Sequence, residues 1–338
     1  MTPSVPDPVV FDADDRRCVA VTGATGFIGR SIVRRLRDHG YKVRVLVRPG
    51  GPATTGGDEV VPGTLEDFPS LCALVRNADA VVHCAGVVRA CRADDFRRVN
   101  TLGTERLLAA IRAASRPARI MLISSLAARE PHLSAYASSK RAAEDLVRSS
   151  GFEHCIVRPP AVYGPADQTS LPLFRLLSRP LAVLPGSSRS RFSVIFVDDL
   201  ARLVATLVER PRWKGDVMEP DDGHPDGYAW EDLATIAGRS LGIGIRPLLM
   251  PRWLLWLPSI LSQAWPRLFG KLPLITPGKL RELYHDDWVC RSDLRGCMCG
   301  WQAQTPLSEG FAITVTWYVR NGWQAAPSSF IKMQRDGL

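Results

Sequence analysis

Along the chain, short apolar runs alternate with longer stretches in which apolar residues recur every three or four positions. Cys18 to Thr22 and Lys42 to Val47 have the length and β-branched content of buried strands, and Gly29 to His39 between them has helical spacing. The alternation continues with a helix over Leu65 to Asn77, a strand at Ala80 to Cys84, a helix from Asn100 to Ala114 and a strand at Arg119 to Ser124. A long helix over Ser134 to Ser149 and a strand at Cys155 to Arg158 follow. Strands separated in this way by helices predict an α/β fold, a doubly wound parallel sheet with helices on both faces.

After Tyr163-Gly164-Pro165 the pattern changes. The chain is rich in Leu, Pro and Arg to residue 190, returns to a strand at Phe192 to Val197 and a helix at Asp198 to Glu209, and starts another helix at Trp230. The expected organisation is a loose leader (1–16), a main domain (17–165 plus about 191–215), a smaller, discontinuous C-terminal substrate domain (about 166–190 plus 216–326) and a tail (327–338). Met250 to Leu272 holds the apolar cluster Trp253, Leu254, Trp256 and Leu257, interrupted by Arg252, Pro258, Pro266 and Arg267. No run reaches the length of a membrane span, so a lid over an apolar substrate is the first reading and peripheral membrane contact the second.

Composition narrows the class. The 338 residues are 46% hydrophobic and 23% charged, which fits a globular chain. A net charge of +9 is spread along the chain and not gathered in basic runs with interleaved aromatics, so nucleic acid is not an expected partner, whereas an anionic ligand or membrane would feel the field. The first sixteen residues lack the basic start and apolar stretch of a signal peptide, which leads us to expect a cytoplasmic protein. Eight Cys are too sparse for a disulfide scaffold, and Cys290, Cys297 and Cys299 lack a partner pair at zinc spacing, so free thiols and no metal are expected.

Chemistry enters at the first turn. Thr22-Gly23-Ala24-Thr25-Gly26-Phe27-Ile28-Gly29 places Gly23, Gly26 and Gly29 between the first strand and the first helix. Glycine permits the sharp turn and the close approach of backbone to a pyrophosphate, which then meets the positive end of the helix. This is the dinucleotide-binding turn of a Rossmann-type sheet. At the end of the second strand, where a carboxylate would hold the ribose of NAD, stands Val47, and Arg48 follows it. An Arg there pairs with a 2′-phosphate, so NADP(H) is favoured and NAD(H) is the alternative.

Tyr136 and Lys140 lie four residues apart and share a helix face. For a phenol of pKa near 10 to act as a base at neutrality, roughly three units of lowering are required, about 4 kcal/mol, and nearby positive charge can supply it. Ser124 and Ser125 end the preceding strand, at the sheet edge where such folds bind ligands.

Taken in order, TGATGFIG (22–29), DAVVHCAG (79–86), NTLGT from Asn100, ISS (123–125), YASSK (136–140), RPPAVYGP (158–165) and FVDDLA (196–201) resemble the extended short-chain dehydrogenase/reductases of the epimerase/dehydratase superfamily. The resemblance spans roughly residues 17 to 323. It implies that Tyr136 is the general acid/base, that Lys140 binds the nicotinamide ribose and lowers the Tyr pKa, and that Ser125, in preference to Ser124, polarises the carbonyl. Asn100 would position active-site backbone or water. Thr25, Phe27 and Ile28 would join the glycines at the phosphates, Ala85 and Gly86 would line the middle of the cofactor, and Pro160 and Val162 would meet its carboxamide end. A homodimer is common in similar proteins.

Within this family the R-P-P segment and the V-R strand end resemble the dihydroflavonol-reductase and 3β-hydroxysteroid-dehydrogenase branches. Pro160 and Ala161 stand where sugar-nucleotide enzymes usually carry Asn, and Leu126-Ala127 replaces their Tyr-Gly. Hydride transfer between nicotinamide and a ketone or secondary alcohol of a small apolar molecule is therefore expected. The alternatives are a nucleotide-sugar epimerase/dehydratase and a non-catalytic NADP-binding sensor or assembly subunit.

Overall fold

All five residues of strand β1 (Cys18–Thr22) are buried, as in a strand covered on both faces. β1 pairs in parallel with β2 (Lys42–Val47) and, on its other side, with β4 (Ala80–His83). β3 (Glu59–Pro62) extends the sheet beyond β2, while β5 (Arg119–Ile123), β6 (His154–Val157) and β11 (Lys214–Met218) extend it beyond β4. The strand order is β11-β6-β5-β4-β1-β2-β3, so the winding direction reverses between β1 and β4. Ligands of doubly wound sheets bind at that switch, beyond the C-terminal strand ends. The computed structural model describes residues 16–51, 56–261, 276–292, 294 and 301–325. The expected leader (but for Arg16), the tail, and Cys297 and Cys299 lie outside them.

One sheet face is covered by α1 (Phe27–Asp38) and α7 (Val197–Glu209), through Ile32, Val33, Leu36, Leu200, Leu203, Val204 and Leu207. The other is covered by α2 (Phe68–Val75), α4 (Gly103–Ala113) and α5 (Ala135–Ser149), through Leu71, Leu74, Leu107, Ile111, Ala143 and Val147. Leu294 and Trp301 return from late in the chain to pack on the first of these cores.

Four readings of the pattern shift. The helix expected to begin at Asn100 starts earlier, as α3 (Ala93–Phe96), and passes through a π-helical turn over 97–102 before α4. Asp67 caps α2 by accepting from the Ser70 N–H, which trims the expected 65–77 helix at its start. β3 has no counterpart in the sequence reading. The seventh strand of the main sheet runs to Met218.

A third hydrophobic core is drawn from residues between Tyr163 and Tyr318. It gathers α6 (Leu171–Leu176), α8 (Trp230–Leu241) and α11 (Leu307–Arg320), with Phe174 stacked on Phe311 at 4.7 Å between ring centroids. Short parallel ladders join its parts: β7 (Ala161–Tyr163) with β10 (Val194–Phe196), β8 (Leu181–Pro185) with β12 (Arg246–Met250), and β9 (Arg191–Phe192) with β13 (Asp287–Trp288). Two further helices, α9 (Arg252–Leu261) and α10 (Pro277–Leu283), pack on each other. Among the described residues, no helix is long and apolar enough to cross a membrane.

Candidate active site

The glycine-rich turn leaves β1 at the switch point. Gly23 has φ +75°, and a Cβ on it would lie 2.6 Å from the Ala85 nitrogen, so no side chain fits between the ends of β1 and β4. A Cβ on Gly29 would collide with the Gly23 carbonyl oxygen. Gly26 caps α1 without a side-chain acceptor, and the first turn of that helix has no acidic residue. The N–H groups around Phe27 and Ile28 are thus left for an anion. Thr25, Phe27 and Ile28 are half-buried around this turn.

A hydrogen-bonded chain braces the turn from below. Thr104 donates to the Asn100 carbonyl at 2.7 Å, so its oxygen accepts from His83 Nε2 at 2.9 Å. His83 Nδ1 then accepts from the Thr22 hydroxyl at 2.7 Å, and Thr22 Oγ1 accepts from the Ala85 N–H at 3.2 Å. This assignment requires a neutral imidazole, and burial pushes the His83 pKa down to about 3, with the Lys140 charge acting in the same direction. His83 was present in the DAVVHCAG segment, but its role shows only once β1, β4 and α4 are in place.

Asn100 sits in the π-helical turn and is 2% exposed. Its Oδ1 accepts from the Val87 N–H at 2.8 Å, and its Nδ2 donates to the Val87 carbonyl at 3.1 Å and to Ser139 Oγ at 2.9 Å. It therefore ties the loop after Ala85-Gly86 to α5. A Cβ on Gly86 would lie 3.1 Å from Asn100 Oδ1 and 3.9 Å from Lys140 Nζ, so this glycine keeps a path open beside the lysine.

Ser134 caps α5 by accepting from the Ala137 N–H at 2.9 Å, which fixes where the helix carrying Tyr136 and Lys140 starts. Lys140 is buried and donates to the Ile123 carbonyl at 2.8 Å. Burial brings its pKa down to about 8, against the upward pull of Cys84 and Glu144. Burial likewise pushes Tyr136 up to about 12, and a hydrogen bond with Ser125 opposes this. The phenol thus holds its proton at neutral pH. Phe96 packs edge-on against its ring at 5.9 Å between centroids.

The two serines are separated by their partners. Ser124 donates to Glu144 at 2.6 Å, and Glu144 is fully buried. Arg158 reaches the same carboxylate through Nε at 2.9 Å and through its terminal nitrogen at 2.7 Å, and Arg148 does so at 2.8 Å. Although burial alone would raise it, these donors hold the Glu144 pKa below the ordinary carboxylate value. Ser125 stays half-buried at the sheet edge, where it accepts from the Ala127 N–H at 3.2 Å and keeps its proton for a partner. The Leu126 N–H donates to the Pro159 carbonyl at 2.9 Å, which ties the Arg158-Pro159-Pro160 segment to the end of β5, while Val162 packs against the first core. The Glu144–Arg158 pair was not singled out in the sequence, since neither residue type at that spacing signals a contact.

Arg48 is exposed directly after β2, and its carbonyl accepts from the Gly51 N–H. Glu59, paired with Arg44 at the start of β2, is engaged by Lys42 at 2.7 Å and Arg44 at 2.5 Å. Among the described residues, no three His, Cys, Asp or Glu side chains gather as a metal site.

Residues 19–218 match the NAD dependent epimerase/dehydratase family. The chain is 39% identical over 313 residues to a ceramide reductase of Caulobacter vibrioides, covering 92% of this chain and 97% of the relative. It is 28% identical to a UDP-glucose 4-epimerase of Vibrio cholerae, over 88% and 94% of the two chains. In fold it is similar to a dTDP-glucose 4,6-dehydratase of Streptomyces venezuelae solved with NAD, with a TM-score of 0.69, 22% identity and coverage of 91% and 99%. With the glycine cradle at the switch point and Ser125, Tyr136 and Lys140 on one edge, these matches establish that the chain belongs to the NAD-dependent epimerase/dehydratase family, the extended short-chain dehydrogenase/reductases.

Proposed function

We propose that this chain is an NADP(H)-dependent ketoreductase that converts a ketone on a long-chain, ceramide-type lipid into a secondary alcohol. The observation that carries this reading is the division of labour at the end of β5: Ser124 is consumed by Glu144, while Ser125 meets a protonated Tyr136 at the open edge. A protonated phenol suits the reductive direction, in which the substrate oxygen gains charge and needs a proton. The similarity to a ceramide reductase over nearly the full length of both chains supports the lipid. Pro160 and Ala161, in place of the Asn of sugar-nucleotide enzymes, count against an epimerase.

NADPH, when bound, supplies the hydride. Ser125 donates a hydrogen bond to the ketone oxygen and polarises it. Tyr136 transfers its phenolic proton to that oxygen as negative charge develops, so hydride and proton together give the alcohol. Lys140 faces the path beside Gly86 and holds the ribose hydroxyls, while Asn100 keeps that loop in register with α5. Arg48 takes the 2′-phosphate, which favours NADP(H) over NAD(H). The free thiols among the described cysteines suit the reducing cytoplasm, where NADPH is supplied.

The test is to incubate the full chain with NADPH and, separately, a 3-oxo N-acyl long-chain base and UDP-glucose. Oxidation of NADPH with formation of the lipid alcohol is expected. Interconversion of the UDP-sugar without reduction of the lipid would refute the proposal.

A further inference from the structure

Helix α9 presents its apolar side to water. Among the described side chains of this helix, Leu255 and Ser259 turn away from solvent, whereas Trp253 is 74% exposed, Leu257 63%, and Leu254, Trp256 and Ile260 are exposed as well. At about 100° per residue, Trp253, Trp256, Leu257 and Ile260 fall within one narrow arc. This is the reverse of a helix laid on a core, and a stripe holding two indoles calls for a cover.

Charge identifies the cover. Between Asp232 and Glu282 the sequence has 49 residues that include seven Arg or Lys and no Asp or Glu, so this stretch supplies most of the net charge of +9. Within its described part, the Arg252 guanidinium lies over the Trp256 ring, 5.6 Å from the centroid. Arg246 and Leu248 are both exposed on one face of β12, the strand that leads into α9. An indole under a guanidinium group, next to exposed aliphatic side chains and a second Trp, matches the layers of an anionic bilayer surface: Trp at headgroup depth, Leu and Ile among acyl chains, Arg on phosphates. A second copy of the chain would set this positive stretch against itself.

The helix is also mounted close to the chemistry. It packs on α10, and the Tyr284 hydroxyl just after α10 donates to the Met250 carbonyl just before α9. α10 in turn grips the start of α5: Glu282 accepts from the Ser134 hydroxyl, and Arg281 donates to the Leu133 carbonyl at 2.7 Å. Tyr136 lies two residues beyond Ser134.

We propose that α9 seats this protein on an anionic phospholipid bilayer, with the active site beside the surface from which an apolar ketone is drawn. The source of the substrate rests on the lipid-ketone reading above; the seating of α9 does not.

Flotation of the full chain with two vesicle types tests it: phosphatidylcholine alone, and an equimolar mixture with phosphatidylglycerol. The protein should float with the mixed vesicles about tenfold more than with the neutral ones. A Trp253→Ser/Leu257→Ser double variant should lose that binding while its NADPH affinity, read by titration, stays unchanged. Arg252→Glu, which leaves the apolar stripe intact, should lower the preference for the mixed vesicles about fivefold or more. Absence of flotation would overturn the proposal, as would a double variant that floats like the parent. So would light scattering that finds a dimer which the double variant converts to monomer, since a second copy would then be the cover. Failure of the ketoreductase reading looks different: flotation persists and no lipid ketone is reduced.

Discussion

Replacing Lys140 by Met should make the cofactor-free protein more stable at neutral pH and inactive. The Lys140 ammonium is buried, and its pKa falls from 10.5 to about 8. That gap corresponds to about 3 kcal/mol of penalty for keeping the charge inside. Below pH 8 both folded and unfolded chains hold the proton, and the whole penalty bears on the fold. Between pH 8 and 10.5 the unfolded chain holds it and the folded one releases it, so the stability of the parent rises with pH across that window. Met carries no such penalty, but it leaves the Ile123 carbonyl without the bond that Lys140 donates, a loss of about 1 kcal/mol. The net gain at pH 7 is therefore about 2 kcal/mol, or roughly 2–4 °C in melting temperature for a chain of this size. Thermal unfolding of both proteins without cofactor, at pH 7 and pH 10, measures it. The advantage of Lys140→Met should be largest at pH 7 and nearly gone at pH 10. A variant less stable than the parent at pH 7, or an advantage that does not vary with pH, would refute this account of the lysine.

Arg48→Ser should weaken NADPH binding by roughly ten- to a hundredfold, the worth of one charge-assisted contact, and leave NADH binding unchanged; fluorescence titration with both nucleotides measures the ratio. Gly23→Ala should abolish binding of either nucleotide in the same titration, because its Cβ meets backbone of Ala85 that cannot yield. Glu144→Gln should cost about 3 kcal/mol in urea unfolding, since it removes the carboxylate that pairs with Arg148 and Arg158 in a buried site.

The parts of this molecule that were legible in the sequence are those whose signal is local. The turn from β1 into α1 carries its own glycines, and the Ser134 cap with the Tyr136–Lys140 spacing announces α5 within a few residues. β3 was missed because it is a four-residue strand at the sheet edge with alternate residues exposed, too short for a period to register. The start of the helix before Asn100 was misplaced because a π-helical turn over 97–102 adds a residue to the repeat and breaks the 3.6-residue pattern, and because α3 buries nothing. β8 and β12 pair across more than sixty residues, and nothing in either segment names its partner. The same limit hid the Thr104–His83–Thr22 chain and the Glu144–Arg158 pair, each of which joins elements brought together only by the winding of the sheet. Hydropathy also picked out Trp253 to Leu257 without saying which way they face. The sequence reads them as a lid over substrate; in the fold Trp253, Leu254, Trp256 and Leu257 are exposed.

The central claim is that Tyr136 delivers the proton in reduction of a lipid ketone, and single-turnover hydride transfer from bound NADPH to a 3-oxo N-acyl long-chain base measures it. Tyr136→Phe removes only the phenolic hydroxyl, so the account predicts a rate lower by about a hundredfold or more, with NADPH affinity unchanged. A Tyr136→Phe protein that transfers hydride to the lipid ketone at the parent's rate would contradict it.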